Sequence, residues 1–163
     1  MGIISDIHDN LPMLEKAIAL LNSENVEIVL CAGDYIAPFV TSHFEKLNAR
    51  MVGVFGNNDA ERQILRDRFR DMGFDVDGVF KSVKIGSLNV ALLHGHDREL
   101  LESLIKFSSF DLIVHGHTHK ADVAVEEEKL IINPGEVCGY LSGKPTIAIF
   151  DTEARKARIL NII

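Results

Sequence analysis

The chain has 163 residues, of which 47% are hydrophobic and 25% charged, and it carries a formal net charge of −7. These values exclude a disordered or fibrous chain, and the acidic balance disfavours nucleic-acid binding through a general basic surface. The length predicts a single domain over residues 1–163. Because there is neither a signal-peptide pattern nor a long apolar run, we expect a cytoplasmic protein without membrane association.

The first half of the chain alternates predicted strands and helices. Residues 2–5 form a short apolar strand that stops at Asp6, and Asn10 is placed to cap the helix that follows. Further strands are predicted at 27–32 and 51–55, and further helices at 38–47 and 60–72.

The second half of the chain is richer in strands. Residues 79–85 and 89–93 predict a hairpin that turns at Gly86 and Ser87, and a helix is predicted at 98–107. Further strands are predicted at 112–115, 122–126, 130–132, 146–151 and 157–162. Strands and helices alternate in the first half of the chain, and strands predominate in the second half. This order of elements predicts an α/β fold, in which a β-sandwich is flanked by helices.

Polar segments follow five of the apolar strands. In chain order they are Asp6-Ile7-His8, Gly33-Asp34, Gly56-Asn57-Asn58-Asp59, His94-Gly95-His96 and Gly116-His117-Thr118-His119. Singly, Asp34 could be a helix cap and Asn57 a turn residue. Together they supply carboxylate, carboxamide and imidazole groups at the strand ends, where a site in an open α/β sheet is expected. Such mixed oxygen and nitrogen ligands suit Mn, Fe, Ni or Zn.

With these motifs in this order, the chain resembles the calcineurin-like metallophosphoesterase superfamily, whose pattern is D-x-H, G-D, G-N-H-[DE], G-H and G-H-T-H. The GNND variant and the INPGE segment at 132–136 are most similar to YfcE-type phosphodiesterases. The resemblance implies a four-layer αββα sandwich. It also implies a metal-dependent phosphoric diester hydrolase that cleaves a small phosphodiester or cyclic nucleotide by attack of a metal-bridging hydroxide.

The resemblance further implies two divalent metal ions, for which manganese or nickel is expected and iron or zinc is the alternative. Asp34 would bridge the two ions. One ion would be held by Asp6, His8 and His119, and the other by Asn57, His94 and His117.

The chain departs from the family pattern at Asn58, where most members have a histidine. A carboxamide can donate hydrogen bonds but cannot act as a general acid near neutral pH, and Asp59 loses the histidine that it usually orients. We therefore expect diesters, or esters with good leaving groups, to be favoured over alkyl monoesters. His96 is the candidate substitute proton donor, so Asn58, Asp59 and His96 are the predicted catalytic residues.

Two alternative functions are a protein-interaction scaffold and a nuclease. A subunit of similar fold serves the eukaryotic retromer as a non-catalytic protein-interaction scaffold, but a scaffold does not need converging metal ligands. A nuclease of the same superfamily is disfavoured by the small, acidic chain. The expected partner is a small phosphate-ester substrate, and homo-oligomers are expected because related proteins form dimers and larger assemblies.

Overall fold

The computed structural model describes all residues from Met1 to Ile163. It contains eleven strands, three α-helices and one 3₁₀ helix. The helices are α1 Leu11–Ser23, the 3₁₀ helix Pro38–Lys46, α2 Arg62–Asp71 and α3 Arg98–Phe107. The strands are β1 Gly2–Ile4, β2 Ile28–Cys31, β3 Arg50–Gly53, β4 Asp75–Val76, β5 Phe80–Ile85, β6 Leu88–Leu93, β7 Leu112–Val114, β8 Ala121–Glu126, β9 Lys129–Pro134, β10 Thr146–Asp151 and β11 Lys156–Asn161.

The strands form two sheets. The first has the order β11-β10-β1-β2-β3-β4, and the second has the order β5-β6-β7-β9-β8. Strands β1 to β4 are parallel to one another, as are β6, β7 and β9. Because parallel strands present their carboxyl ends at one edge of a sheet, each sheet delivers several polar loops to a single edge.

Alternation along the strands separates three apolar layers. In β2, Val29 and Cys31 pack under the helices, whereas Ile28 and Leu30 face the second sheet. Strand side chains alternate between the two faces of a sheet, so one short apolar strand contributes to both layers. On the far side, α3 packs its apolar face against the second sheet, including Ile113. The result is the predicted four-layer αββα sandwich.

The predicted elements are found with small differences in their bounds. The predicted helix at 38–47 is a 3₁₀ helix, in which the Thr41 hydroxyl donates to Pro38 O at 2.8 Å and the Ser42 hydroxyl donates to Phe39 O at 3.0 Å. Such bonds to the carbonyl three residues back compete with α-helical geometry. The two-residue strand β4 was not predicted. None of the helices has the length and hydropathy needed to cross a bilayer.

Candidate metal centre

The predicted ligands lie on loops that leave strands of both sheets. Asp6 follows β1, Asp34 follows β2, and His94 directly follows β6. Five of the seven predicted ligands have the left-handed backbone that side chains other than glycine seldom adopt, with φ between 46° and 68°. They are Asp6, His8, Asp34, His117 and His119. Non-glycine residues in this region concentrate at functional sites, where surrounding structure holds them in place.

Imidazole nitrogens surround two buried carboxylates at the centre of the site. His119 Nε2 lies 3.3 Å from Asp6 Oδ1. On the other carboxylate, Asp34 Oδ2 lies 3.4 Å from His8 Nε2 and 3.3 Å from His94 Nε2. Three of these buried atoms, Asp6 Oδ1, His8 Nε2 and His94 Nε2, have no hydrogen-bond partner. Unpaired buried polar atoms are rare in proteins, so three that face one another require an explanation.

Divalent metal ions fit this arrangement. Two ligands at about 2.1 Å from one ion, in tetrahedral or octahedral geometry, lie roughly 3.0 to 3.4 Å apart. The ligand atoms of Asp6, His8 and His119 lie within 4.8 Å of one another, as do those of Asp6, Asp34 and His94. The three separations of 3.3 to 3.4 Å match the spacing of two ligands on one ion, whereas His8 Nε2 and His94 Nε2 lie 3.8 and 4.0 Å from Asp6 Oδ1.

Other contacts hold these ligands in fixed orientations. His94 Nδ1 lies 2.7 Å from Ala32 O, so this nitrogen carries the proton and Nε2 presents its lone pair to the site. Asp6 Oδ2 accepts the His117 backbone N–H at 3.0 Å, which leaves Oδ1 free. Each ligand thus offers one defined atom, as a metal site requires.

The Asp34 carboxylate is hydrogen-bonded to the loop after β3. Its Oδ1 accepts the backbone N–H of Asn58 at 2.9 Å, and its Oδ2 accepts the Asn58 carboxamide at 2.8 Å. Burial raises the pKa of Asp34, but the neighbouring His94 imidazole and the bonds from Asn58 outweigh it, so the pKa lies well below its usual value. The 3₁₀ helix begins after Ala37 without a side-chain cap, so Asp34 is not a helix cap.

Asp59 is buried, and its carboxylate accepts hydrogen bonds from backbone N–H groups. Its Oδ2 accepts the N–H groups of Asp34 at 2.9 Å and Gly56 at 2.7 Å, and its Oδ1 accepts that of Ile36 at 2.9 Å. Both oxygens are therefore engaged in joining the loops after β2 and β3. Asp59, predicted to be a catalytic residue without the histidine that it usually orients, accepts hydrogen bonds from the backbone of the loops that carry Asp34 and Asn58.

The mouth of the site is formed by the remaining predicted residues, which are exposed: Asn57, His96 and His117. The ring centroids of His94 and His117 are 5.2 Å apart, and the exposed ring of His96 lies 5.7 Å from that of His94 and 6.2 Å from that of His117. Burial, followed by the nearby His94, lowers the pKa of His117, which favours the neutral, metal-binding imidazole. His94 also lies within 4.8 Å of the carboxylates of Asp6 and Asp34, measured between the possible ligand atoms.

Glu136 was not among the predicted site residues, although it ends the INPGE segment quoted from the sequence. It is completely buried, and its Oε2 lies 2.5 Å from His119 Nδ1. Burial raises the pKa of Glu136, but the hydrogen bonds from His119 and Ser142 outweigh it and hold the pKa at about 2. The site therefore includes an ionised carboxylate behind a predicted metal ligand.

Comparison with known proteins gave close matches over nearly the whole chain. The family model described as calcineurin-like phosphoesterase superfamily domain matches residues 1–155. A phosphodiesterase of Methanocaldococcus jannaschii is 44% identical over 159 residues, which cover 97% of this chain and 96% of that protein. Phosphodiesterase YfcE of Escherichia coli K12 is 25% identical over 174 residues, covering 96% of this chain and 90% of the relative. A solved structure of an archaeal phosphodiesterase superposes with a TM-score of 0.94 at 43% identity, covering 98% of each chain.

Proposed function

Since the chain belongs to the calcineurin-like phosphoesterase superfamily, we propose that it is a dinuclear metal-dependent phosphodiesterase for a small phosphodiester or cyclic nucleotide. The predicted family, fold and enzyme class, a phosphoric diester hydrolase, are confirmed. The two-ion site, its ligands and the substrate are the proposal, as are the single domain over 1–163, a homo-oligomer and the cytoplasmic location.

The observation that carries the proposal is the set of unpaired buried atoms Asp6 Oδ1, His8 Nε2 and His94 Nε2 at the strand ends. Two bound ions would supply Lewis-acid charge, a water made nucleophilic at neutral pH and a clamp on the phosphate oxygens. Manganese or nickel, with iron or zinc as alternatives, suits the mixed carboxylate and imidazole donors.

In this proposal the carboxylates of Asp6 and Asp34 have different surroundings and different roles. Asp6 belongs with His8 and His119, and Asn57 with His94 and His117, while Asp34 is shared. Asn58 keeps both Asp34 oxygens in place through its two hydrogen bonds. Because the Asn58 carboxamide donates to Asp34, it restrains the shared ligand and leaves proton donation to another group.

The absence of an acid at position 58 supports a preference for diesters. A general acid contributes roughly 100- to 10,000-fold where the leaving group is poor, and a carboxamide cannot supply it. His96 is exposed at the mouth, with its ring 6.2 Å from that of His117, and is the proposed proton donor. An unchanged pH dependence of the rate in His96→Gln would remove His96 from this role.

The test is hydrolysis of bis-p-nitrophenyl phosphate by chelator-treated protein, with and without added Mn²⁺ or Ni²⁺, beside the corresponding monoester. We expect metal-restored cleavage of the diester and slower cleavage of the monoester. His94→Gln should abolish the restored activity. His43→Gln is the matched control and should keep it, because His43 is a half-buried residue outside the site whose Nδ1 lies 3.2 Å from Glu15 Oε1. Cleavage of neither ester with any metal would contradict the proposal and favour the non-catalytic scaffold.

A further inference from the structure

Glu136 lies just after β9, and its carboxylate accepts hydrogen bonds from four residues. Its Oε2 accepts from His119 Nδ1 at 2.5 Å and from the Cys138 thiol at 3.1 Å. Its Oε1 accepts from Ser142 N at 2.5 Å, from Ser142 Oγ at 2.6 Å and from Leu141 N at 3.0 Å. The carboxylate is completely buried, so these bonds replace its hydration and fix its rotamer.

The carboxylate determines which nitrogen of His119 carries the proton. An ionised carboxylate only accepts hydrogen bonds, so His119 Nδ1 must donate, and in the neutral imidazole Nε2 then presents its lone pair. That Nε2 points at Asp6 Oδ1, 3.3 Å away. Glu136 therefore selects the tautomer that can bind a metal ion, and it also holds the ring in the plane that points Nε2 into the site.

We infer that Glu136 is a positioning residue for the metal centre, which locks His119 in the Nδ1–H form and thereby strengthens metal binding by the site. The inference rests on the proposed function for its consequence, but the locked tautomer is a property of the chain without metal. The bonds from Leu141 and Ser142 support the inference because they fix the carboxylate from the side away from His119.

Glu136→Gln is the variant that tests this role. Every partner of the carboxylate is a donor, so the NH₂ group of glutamine would face either His119 Nδ1 or the N–H groups of Leu141 and Ser142. We expect metal affinity, measured by competition with a chromophoric chelator, to fall about 10- to 100-fold, as is typical when the partner of a ligating histidine is lost. Glu15→Gln is the matched control, since it makes the same change at an exposed carboxylate that accepts from Lys46 Nζ at 2.9 Å; its affinity should stay near that of the wild type.

The tautomer is read directly from two-bond ¹H–¹⁵N correlation spectra of the metal-free protein. At a pH where the ring is neutral, we expect His119 to carry its proton on Nδ1 in the wild type and in Glu15→Gln, and to lose this single tautomer in Glu136→Gln. Glu136→Asp, which keeps the charge on a shorter arm, should give an intermediate affinity and serves if Glu136→Gln does not fold.

Two results would overturn the inference: a neutral wild-type His119 whose proton lies on Nε2, or an unchanged metal affinity in Glu136→Gln. Failure of the proposed function would look different. A wild-type protein that binds no divalent ion would contradict the metal centre, while the spectrum of His119 would still decide whether Glu136 sets its tautomer.

Discussion

The carboxylate of Asp59 holds the backbone of Asp34, whose N–H it accepts at 2.9 Å. The same carboxylate accepts two further backbone N–H groups, those of Ile36 and Gly56. A single buried side chain thus sets the distance between the loop that carries the proposed shared ligand and the loop that carries Asn57 and Asn58. Its removal should disturb both stability and metal binding.

Asp59→Ala leaves three backbone N–H groups without their acceptor. Since an unsatisfied buried donor costs about 1–3 kcal/mol, and some of the three will regain water, we expect the free energy of unfolding to fall by roughly 2–4 kcal/mol in urea titrations done with chelator. Asp97→Ala is the matched control. Asp97 caps α3 by accepting from Leu100 N at 3.0 Å, so its loss should cost only about 1 kcal/mol. Equal losses in the two variants would contradict the loop-joining role.

Metal ions should stabilise the fold as well as serve the reaction. A ligand that binds only the folded state adds about 2.7 kcal/mol at a concentration 100 times its dissociation constant. We expect an increment of this size when Mn²⁺ or Ni²⁺ is added to chelator-treated protein, measured by thermal or urea unfolding. His94→Gln should lose most of the increment because His94 Nε2 is one of the unpaired buried atoms, whereas His43→Gln should retain it. An increment that is the same in all three proteins would place the bound ion elsewhere.

Gly116 has no room for a side chain. A Cβ at this position would overlap the Ser5 hydroxyl and lie 2.7 Å from Asp6 Oδ2. Overpacking typically costs about 1–3 kcal/mol, and here the displaced groups include a proposed ligand. We therefore expect Gly116→Ala to lower the free energy of unfolding by about 2–3 kcal/mol and to weaken metal binding, which a metal titration would measure. Gly116→Ala protein with wild-type stability and metal affinity would show that Asp6 can shift without loss.

Both cysteines should be inert in the folded protein. Burial raises the pKa of the Cys31 thiol to about 12 and that of Cys138 to about 12, so almost no thiolate is available near about pH 8. Iodoacetamide should label neither residue in the native protein and both after unfolding in guanidinium, as mass spectrometry would record. Rapid native labelling of Cys138 alone would indicate that the segment from Glu136 to Ser142 opens in solution.

The sequence predicted where the site lies because apolar runs mark the strands and polar residues mark their ends. Asp6, Asp34 and His94 could be assigned to the ends of strands from that pattern alone. The α/β class followed from the order of the elements, and the layering of the sandwich followed from the resemblance. The two-residue strand β4 has too few residues to carry a pattern, and it forms because β3 offers it a parallel neighbour.

Side-chain partners were harder to predict, because they depend on how distant segments pack. Glu136 reaches His119 because β7 and β9 are parallel neighbours, so the loops after these two strands meet at one edge of the sheet, and the sequence pattern did not specify which strands pair. For Asp59, the sequence could not reveal that its oxygens would be taken by backbone N–H groups rather than directed at a side chain. The motif therefore predicted the candidate ligands, whereas the structure was needed for the groups that orient them.

Asn58→His tests whether the missing acid at this position sets the preference for diesters. A histidine could protonate a poor leaving group, so we expect cleavage of an alkyl phosphate monoester to rise at least about 10-fold, with a ceiling set by the roughly 10,000-fold contribution of general acids. The rate at which bis-p-nitrophenyl phosphate is cleaved should change little, because its leaving group needs no proton.

Asn58→Gln is the control, because a longer carboxamide still cannot supply a proton. Metal content must be measured in both variants, since each one alters the bond of 2.8 Å from position 58 to Asp34 Oδ2. If Asn58→His retains its metal and still cleaves the alkyl monoester at the wild-type rate, the substrate preference does not originate at position 58, and the shape of the mouth around His96 and His117 becomes the feature to vary.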